Sequence, residues 1–186
     1  MRNFTKRLAL GLVLAALVGL PIYAQQVQEI TRGTGGVGRM LIGLGTSGAA
    51  ILGNTRITLT NAQVLDLGDT AVTVIAAPGA GRFIDVLDGV LIFNYTAAYT
   101  VGGTADARLW YTNRVTGPAA SNVIEFTGVL DASADQISAF SGTPDDTEPT
   151  ANTPIRIQAP AAEVTGGNAS NQVFIEVTYV DRQTGL

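Results

Sequence analysis

The sequence predicts an all-β protein: an antiparallel β-sandwich, jelly-roll-like, of seven to eight strands. A hydrophobic leader and a Gly-rich arm precede it. Three observations carry this expectation. Short β-branched runs with period-two alternation recur between turn residues from about residue 54 onward. Glycine is abundant, at 22 of 186 residues, and only 14% of residues are charged, as suits many tight turns. Hydrophobic residues make up 46% of the chain, enough for a packed core. The chain then divides into a leader at 1–24, an extended arm at 25–53 and a sandwich domain at 54–186.

The leader has a basic head of Arg2, Lys6 and Arg7, then an unbroken apolar run from Leu8 to Leu20. Pro21 ends the helix-prone run, and "IYA" precedes Gln25. That is the layout of a signal peptide, with cleavage expected after Ala24 and a secreted or cell-surface protein as the result. A run of 13 residues is short of the roughly 20 that span a bilayer. The alternative is a retained helix over residues 8–20 that packs on the protein or on a membrane.

The arm contains "TRGTGGVGRM", in which Gly33, Gly35 and Gly38 form a G-x-G-x-x-G. A dinucleotide loop needs a buried strand before it, a helix after it and an acid about 20 residues on. Here a short polar stretch precedes it, and Gly43, Gly45, Gly48 and Gly53 follow. The stretch therefore reads as an extended arm that orders on a partner surface. Its apolar segment Met40, Leu41, Ile42 and Leu44 is the expected partner contact.

The body then alternates strand and turn. "TRITLT" (residues 55–60) alternates, and "NAQVLDLGD" (61–69) reads as one helical turn closed at Gly68. "TAVTVIAA" (70–77) is a strand, and "AAPGAGRF" (76–83) reads as a hairpin connection. "RFIDVLDGVLIFNYT" (82–96) is the longest strand, with a bulge or bend expected at Asp88-Gly89. Its spacing puts Asp85 and Asp88 on opposite faces. "ARLWYT" (107–112) and "SNVIEFTGVL" (121–130) are strands. "DASADQISAF" (131–140) reads as a short helix capped by Asp131 or Ser133. "PIRIQAP" (154–160) and "NQVFIEVTYV" (171–180) complete the set.

Composition limits the chemistry. The chain has neither Cys nor His, which excludes thiol catalysis, Ser-His-Asp triads, His-ligated metals and disulfides. Beyond residue 24 there are eight basic and fifteen acidic residues, a balance that repels nucleic acid. Asp145, Asp146 and Glu148 in "PDDTEP" could offer oxygen ligands to Ca2+, but they lack EF-hand spacing and read equally as a solvated loop. Phe93, Tyr95, Tyr99, Trp110 and Tyr111 could form a sugar platform, although packing explains them better. No cofactor and no enzymatic activity are expected.

The stretch "ITLTNAQVLDLGDTAVTVIAAPGAGRFIDVLDGVLIFNYTAAYT" (57–100) precedes "ANTPIRI" (151–157), "VTGGN" (164–168) and "VFIEVTYV" (173–180). In this order the motifs resemble small β-sandwich virion proteins of tailed phages, of the head-decoration or minor-capsid kind. The resemblance spans residues 57–180. It implies a structural protein of the virion, acting through contacts with itself and with a major capsid or other virion protein. Arg82 stands where such proteins usually carry Lys. The signal-like leader is not usual among them, and it favours the alternative of a secreted binding module or fibre subunit directed at carbohydrate or a cell surface.

Overall fold

Four antiparallel pairs, nested one inside the next, organise the chain. The structure, a computed structural model, describes residues 38–42, 50–103, 106–142, 149–160 and 164–184. The strands are β1 (Gly38–Ile42), β2 (Ala50–Leu59), β3 (Val72–Ile75), β4 (Arg82–Asn94), β5 (Tyr99–Val101), β6 (Arg108–Tyr111), β7 (Gln136–Ser141), β8 (Ile155–Gln158), β9 (Val164–Gly166) and β10 (Gln172–Gln183). A single helix among the described residues, α1 (Asn61–Leu65), follows β2.

The outermost pair is β2 with β10, then β3 with β8, then β4 with β7. The innermost joins β6 to residues 119–124 through two isolated bridges, Trp110 to Ala119 and Ala107 to Ile124. Rolling this long hairpin sets β10 beside β4 and β8 beside β6. The result is a five-stranded sheet in the order β1-β2-β10-β4-β7 and a three-stranded sheet in the order β3-β8-β6. Alternate members of the hairpin fall in opposite sheets, which is the jelly-roll arrangement. The protein is thus all-β and antiparallel, as the period-two pattern predicts. The strands beyond the roll are β1, paired to β2, and the two-stranded β5-β9 ribbon.

The core lies between the two sheets. Ile175, Val177, Leu91 and Phe93 from the large sheet meet Leu109, Ile155 and Ile157 from the small one, all fully buried or nearly so. Each such side chain contributes roughly 1.5–3 kcal/mol of burial. In β10 the expected alternation is realised: Val173, Ile175, Val177 and Tyr179 face inward.

The bulge expected in β4 is present and has a consequence that strict alternation misses. Thr178 pairs with Asp88, while Tyr179 pairs with Val86, so Leu87 is the extra residue. The inward phase therefore changes from Ile84 and Val86 to Gly89, Leu91 and Phe93. Asp85 and Asp88 consequently share the outer face, contrary to the sequence reading. Gly89 is required here, because a Cβ would lie 2.3 Å from the Phe140 ring.

Three other segments differ from expectation. "AAPGAGRF" is not a hairpin: it carries the chain from β3 in the small sheet to β4 in the large one, with Gly79 and Gly81 at positive φ. Residues 121–130 are a strand only at the bridges of Ser121 and Ile124, after which Val129 and Leu130 donate back to the Phe126 carbonyl in a tight turn. The expected helix at 131–140 is instead a turn leading into β7, which pairs with β4 from Asp88 to Phe93. Asp131 caps nothing downstream; its carboxylate accepts from Gly128 N. Edge pairing overrides a helix propensity spread over only ten residues.

α1 does follow its sequence signal. Thr60 and Gln63 form a capping box, each side chain accepting from the other's backbone N–H. Residues 1–24 and most of the expected arm lie outside the described residues, as do Leu44, Asp145, Asp146 and Glu148. The described part of the arm is β1, and β2 already begins at Ala50. In β1, Met40 pairs with Leu52, Leu41 with Ile51 and Ile42 with Ala50. This stretch therefore adds a strand to its own chain's sheet.

Candidate binding surface

The two sheets turn different chemistry to the outside. On the large sheet Arg56, Arg82 and Arg182 are each neutralised locally. Arg56 Nη1 lies 2.8 Å from Glu176 Oε1, directly across the β2–β10 pair, and its guanidinium sits 4.0 Å above the Phe174 ring. Arg182 Nη2 lies 2.8 Å from Asp85 Oδ2. Arg82 donates from Nε to Asp181 Oδ1 at 2.7 Å and from Nη2 to the Asp181 carbonyl. Asp181 is almost fully buried, so this last pair is internal structure rather than surface.

The small sheet and the loop after β6 carry three arginines, Arg108, Arg156 and Arg114, that form no ion pair with any described carboxylate. Leu109, Tyr111, Ile155 and Ile157 point into the core, so Arg108, Trp110 and Arg156 point outward. Register sets Trp110 directly opposite Arg156 and Arg108 opposite Gln158. Thr73 flanks Arg156 on the far side. Trp110 Nε1 donates to the Gln158 carbonyl at 3.1 Å, which fixes the indole over the strand.

Arg114 joins them through the loop that follows β6. Thr112 N bonds the Pro154 carbonyl beside the start of β8, and Arg114 N bonds Gln158 Oε1 at its end. The loop therefore runs back across the outer face. Gln158 Nε2 reaches on toward the Gly68 and Asp69 carbonyls at 3.5 and 3.4 Å, which ties the same side chain to the α1–β3 connection. The Nε atoms of Arg114 and Arg156 are both buried without a hydrogen-bond partner among the described residues.

This loop is built rigidly. Asn113 Oδ1 accepts from Val115 N and Thr116 N, at 2.8 and 2.9 Å. Gly117 N donates to the Asn113 carbonyl, and a Cβ at Gly117 would fall 1.3 Å from the Tyr111 carbonyl oxygen, so no other residue fits. Thr112 holds φ +77°, a left-handed conformation that costs a β-branched residue of order 1–3 kcal/mol. The loop presents Val115 at its tip, 80% exposed.

The aromatic residues singled out in the sequence separate. Phe93, Tyr99 and Tyr111 are core, with Phe93 and Tyr99 rings 5.8 Å apart, whereas Tyr95 and Trp110 reach the surface. They form no shared platform. The Tyr111 hydroxyl, on β6, donates to the Ile84 carbonyl on β4 and so links the two sheets. Burial, and secondarily the Asp85 carboxylate, push its pKa up. Among the described residues no group of three or more His, Cys, Asp or Glu could hold a metal ion, and no helix is long and apolar enough to cross a membrane.

The sequence reading missed the Arg108–Trp110–Arg156 grouping, because Arg156 lies in a strand 46 residues beyond Trp110. One signal was available. Residues 83–107 and 115–155 contain no Lys or Arg, so the arginines between and after them stand alone in acidic surroundings.

No family model matches the chain, and no curated protein matches it. Among solved structures the chain is similar to one titled "Cyanophage Pam1 capsid asymmetric unit", with 17% identity, 75% of this chain and 89% of that chain covered, and a TM-score of 0.42. It is also similar to one titled "Capsid of Ralstonia phage GP4", with 14% identity, 76% and 90% covered, and a TM-score of 0.39.

Proposed function

We propose that the chain is a non-enzymatic structural protein of a phage virion, one that decorates or stabilises a capsid through contacts with copies of itself and with a major capsid or other virion protein. The observation that carries this reading is where the phage-like motifs fall. "LTNAQ" is the end of β2 and the capped start of α1; "AAPGAGRF" is the crossover between sheets; "NTPIRI", "VTGGN" and "VFIEVTYV" are β8, β9 and β10. The resemblance therefore rests on strands and connections of the jelly roll, a fold used by capsid subunits. That inference is an analogy of fold and motif rather than of a chemical site.

The apolar segment Met40, Leu41, Ile42 and Leu44 is the proposed partner contact; its first three residues belong to β1, the edge strand of the large sheet. Strand addition along such an edge needs main-chain hydrogen bonds and little else. The test is mass spectrometry of particles purified from the native source. The reading requires the chain in the particle at stoichiometry comparable with shell subunits. Recovery only as free secreted protein beginning at Gln25 would overturn it and favour the secreted module.

A further inference from the structure

We infer that β7, one edge of the large sheet, pairs with β7 of a second copy of this chain across a two-fold axis at Ser138, joining the two five-stranded sheets into one. This deepens the proposed contacts between copies and rests on that reading.

β7 ends the order β1-β2-β10-β4-β7, with β4 as its ladder partner. Two hydrogen bonds at its end show which main-chain groups are free. Gly142 N donates to the Leu87 carbonyl on β4, whereas the Ser141 carbonyl accepts from Asn122 N on the opposite side. Backbone groups alternate sides along a strand, so Gln136, Ser138 and Phe140 bond β4. Ile137 and Ala139 each aim an N–H and a C=O at the open edge, and none of these four groups has a partner among the described residues. Both residues are exposed, Ile137 at 71%. Edge strands are ordinarily blunted by charge, proline or a bulge. β7 has no charged residue and no proline, and its register with β4 is unbroken.

The open stretch is closed at both ends. Asn122 occupies the edge at Ser141, where its Nδ2 also donates to Ser141 Oγ at 2.8 Å. At the other end Asp135 Oδ1 accepts from Tyr95 N, which draws the incoming chain toward the end of β4 and off the edge. Gln136–Phe140 remain, centred on Ser138.

That centre names the occupant. A two-fold there sets Ile137 against the partner's Ala139, and Ala139 against the partner's Ile137. Each pair exchanges two hydrogen bonds, so all four open groups of both copies are satisfied. Shifted one way, Ile137 would meet the partner's Ser141, where Asn122 already sits. Shifted the other way, Ala139 would face Asp135, beyond the strand. In the centred register a large side chain lies beside a small one, extending the outer-face row of Phe174, Ile92 and Ile137. No like charges meet, which matters in a chain with an acidic excess. β1, the opposite edge, runs in the same direction as β7 after four antiparallel steps, so joining those two edges would make the less stable parallel ladder.

Single cysteines in a chain that has none test the axis. In the full chain, Ser138→Cys sets two thiols in a non-hydrogen-bonded pair with Cα atoms about 4.5 Å apart, within disulfide reach. Ser141→Cys sets them about 20 Å apart. Under mild oxidation Ser138→Cys should run as a linked dimer on a non-reducing gel, and Ser141→Cys as a monomer. Sedimentation velocity should show wild type as a dimer and Ala139→Pro as a monomer. Proline there removes only the outward N–H and spares the ladder with β4, and circular dichroism checks that the variant melts as wild type does. If it does not, Ile137→Lys, at an exposed side chain, replaces it and must give a monomer. Wild type that stays monomeric would overturn the inference, because the edge would then be covered by another protein or by the chain's own residues. Dimers that survive the edge variant, or equal linking at both cysteines, would overturn it too. Presence of the chain in native particles is measured separately, so a failure here leaves the virion reading to stand or fall on that result.

Discussion

The two sheets of the roll handle positive charge in opposite ways. On the large sheet Arg56, Arg82 and Arg182 each face a carboxylate within 3 Å, supplied across a strand pair or diagonal to it. On the small sheet and the loop after β6, Arg108, Arg156 and Arg114 have none among the described residues. Both sheets bury their inner faces in one shared core, so the contrast belongs to the outer surfaces alone. It separates two uses of charge: the large sheet spends its arginines on holding itself together, while those of the small sheet meet no described carboxylate.

The largest expected effect breaks the paired side of this comparison. Asp181→Ala removes the carboxylate that Arg82 requires in a mostly buried site, and about 3 kcal/mol of stability should go with it. Chemical denaturation measures this as a lowered midpoint at unchanged slope. Arg56→Ala and Arg182→Ala, in more exposed pairs, should each cost less than about 1 kcal/mol.

The link between the sheets comes next. Tyr111→Phe leaves the Ile84 carbonyl without its side-chain donor and should cost about 1–2 kcal/mol. Its raised pKa sets the pH dependence. The unfolded chain ionises this tyrosine near pH 10 while the folded chain keeps it protonated, so the contribution is full below that pH and is lost as pH rises through the folded value. Melts between pH 9 and 11 should show wild type losing stability, with a shallower fall in Tyr111→Phe.

Smaller effects sharpen the unpaired side. Thr112→Gly relieves a left-handed β-branched residue and should raise stability by up to about 1 kcal/mol, which a melt would register as a small upward shift. Arg108→Ala and Arg156→Ala should move stability by less than about 0.5 kcal/mol, because they break no ion pair. Equal losses at Arg108 and Arg82 would dissolve the contrast.

The parts legible in the sequence were those governed by local period. β2, β4, β8 and β10 follow from alternation, and α1 from its capping residues. The bulge in β4 was visible at Asp88-Gly89, but its effect on facing was not, since one inserted residue inverts the face of everything before it. β7 was hidden because Gln136–Ser141 gains its strand from pairing with β4, not from its own residues. The connection at 76–81 looked like a hairpin because a Pro-Gly turn marks a change of direction without saying which sheet comes next. The arginine face was illegible for the same kind of reason: rolling brings residues 108, 114 and 156 together, and no local pattern encodes the roll.

The most direct measurement is sedimentation equilibrium of the full chain across a salt series. Association along the uncharged β7 edge should persist as salt rises from about 50 to 500 mM, and the fold, held by burial, stays intact. Association that is absent at low salt, or lost at high salt, would contradict pairing along that edge.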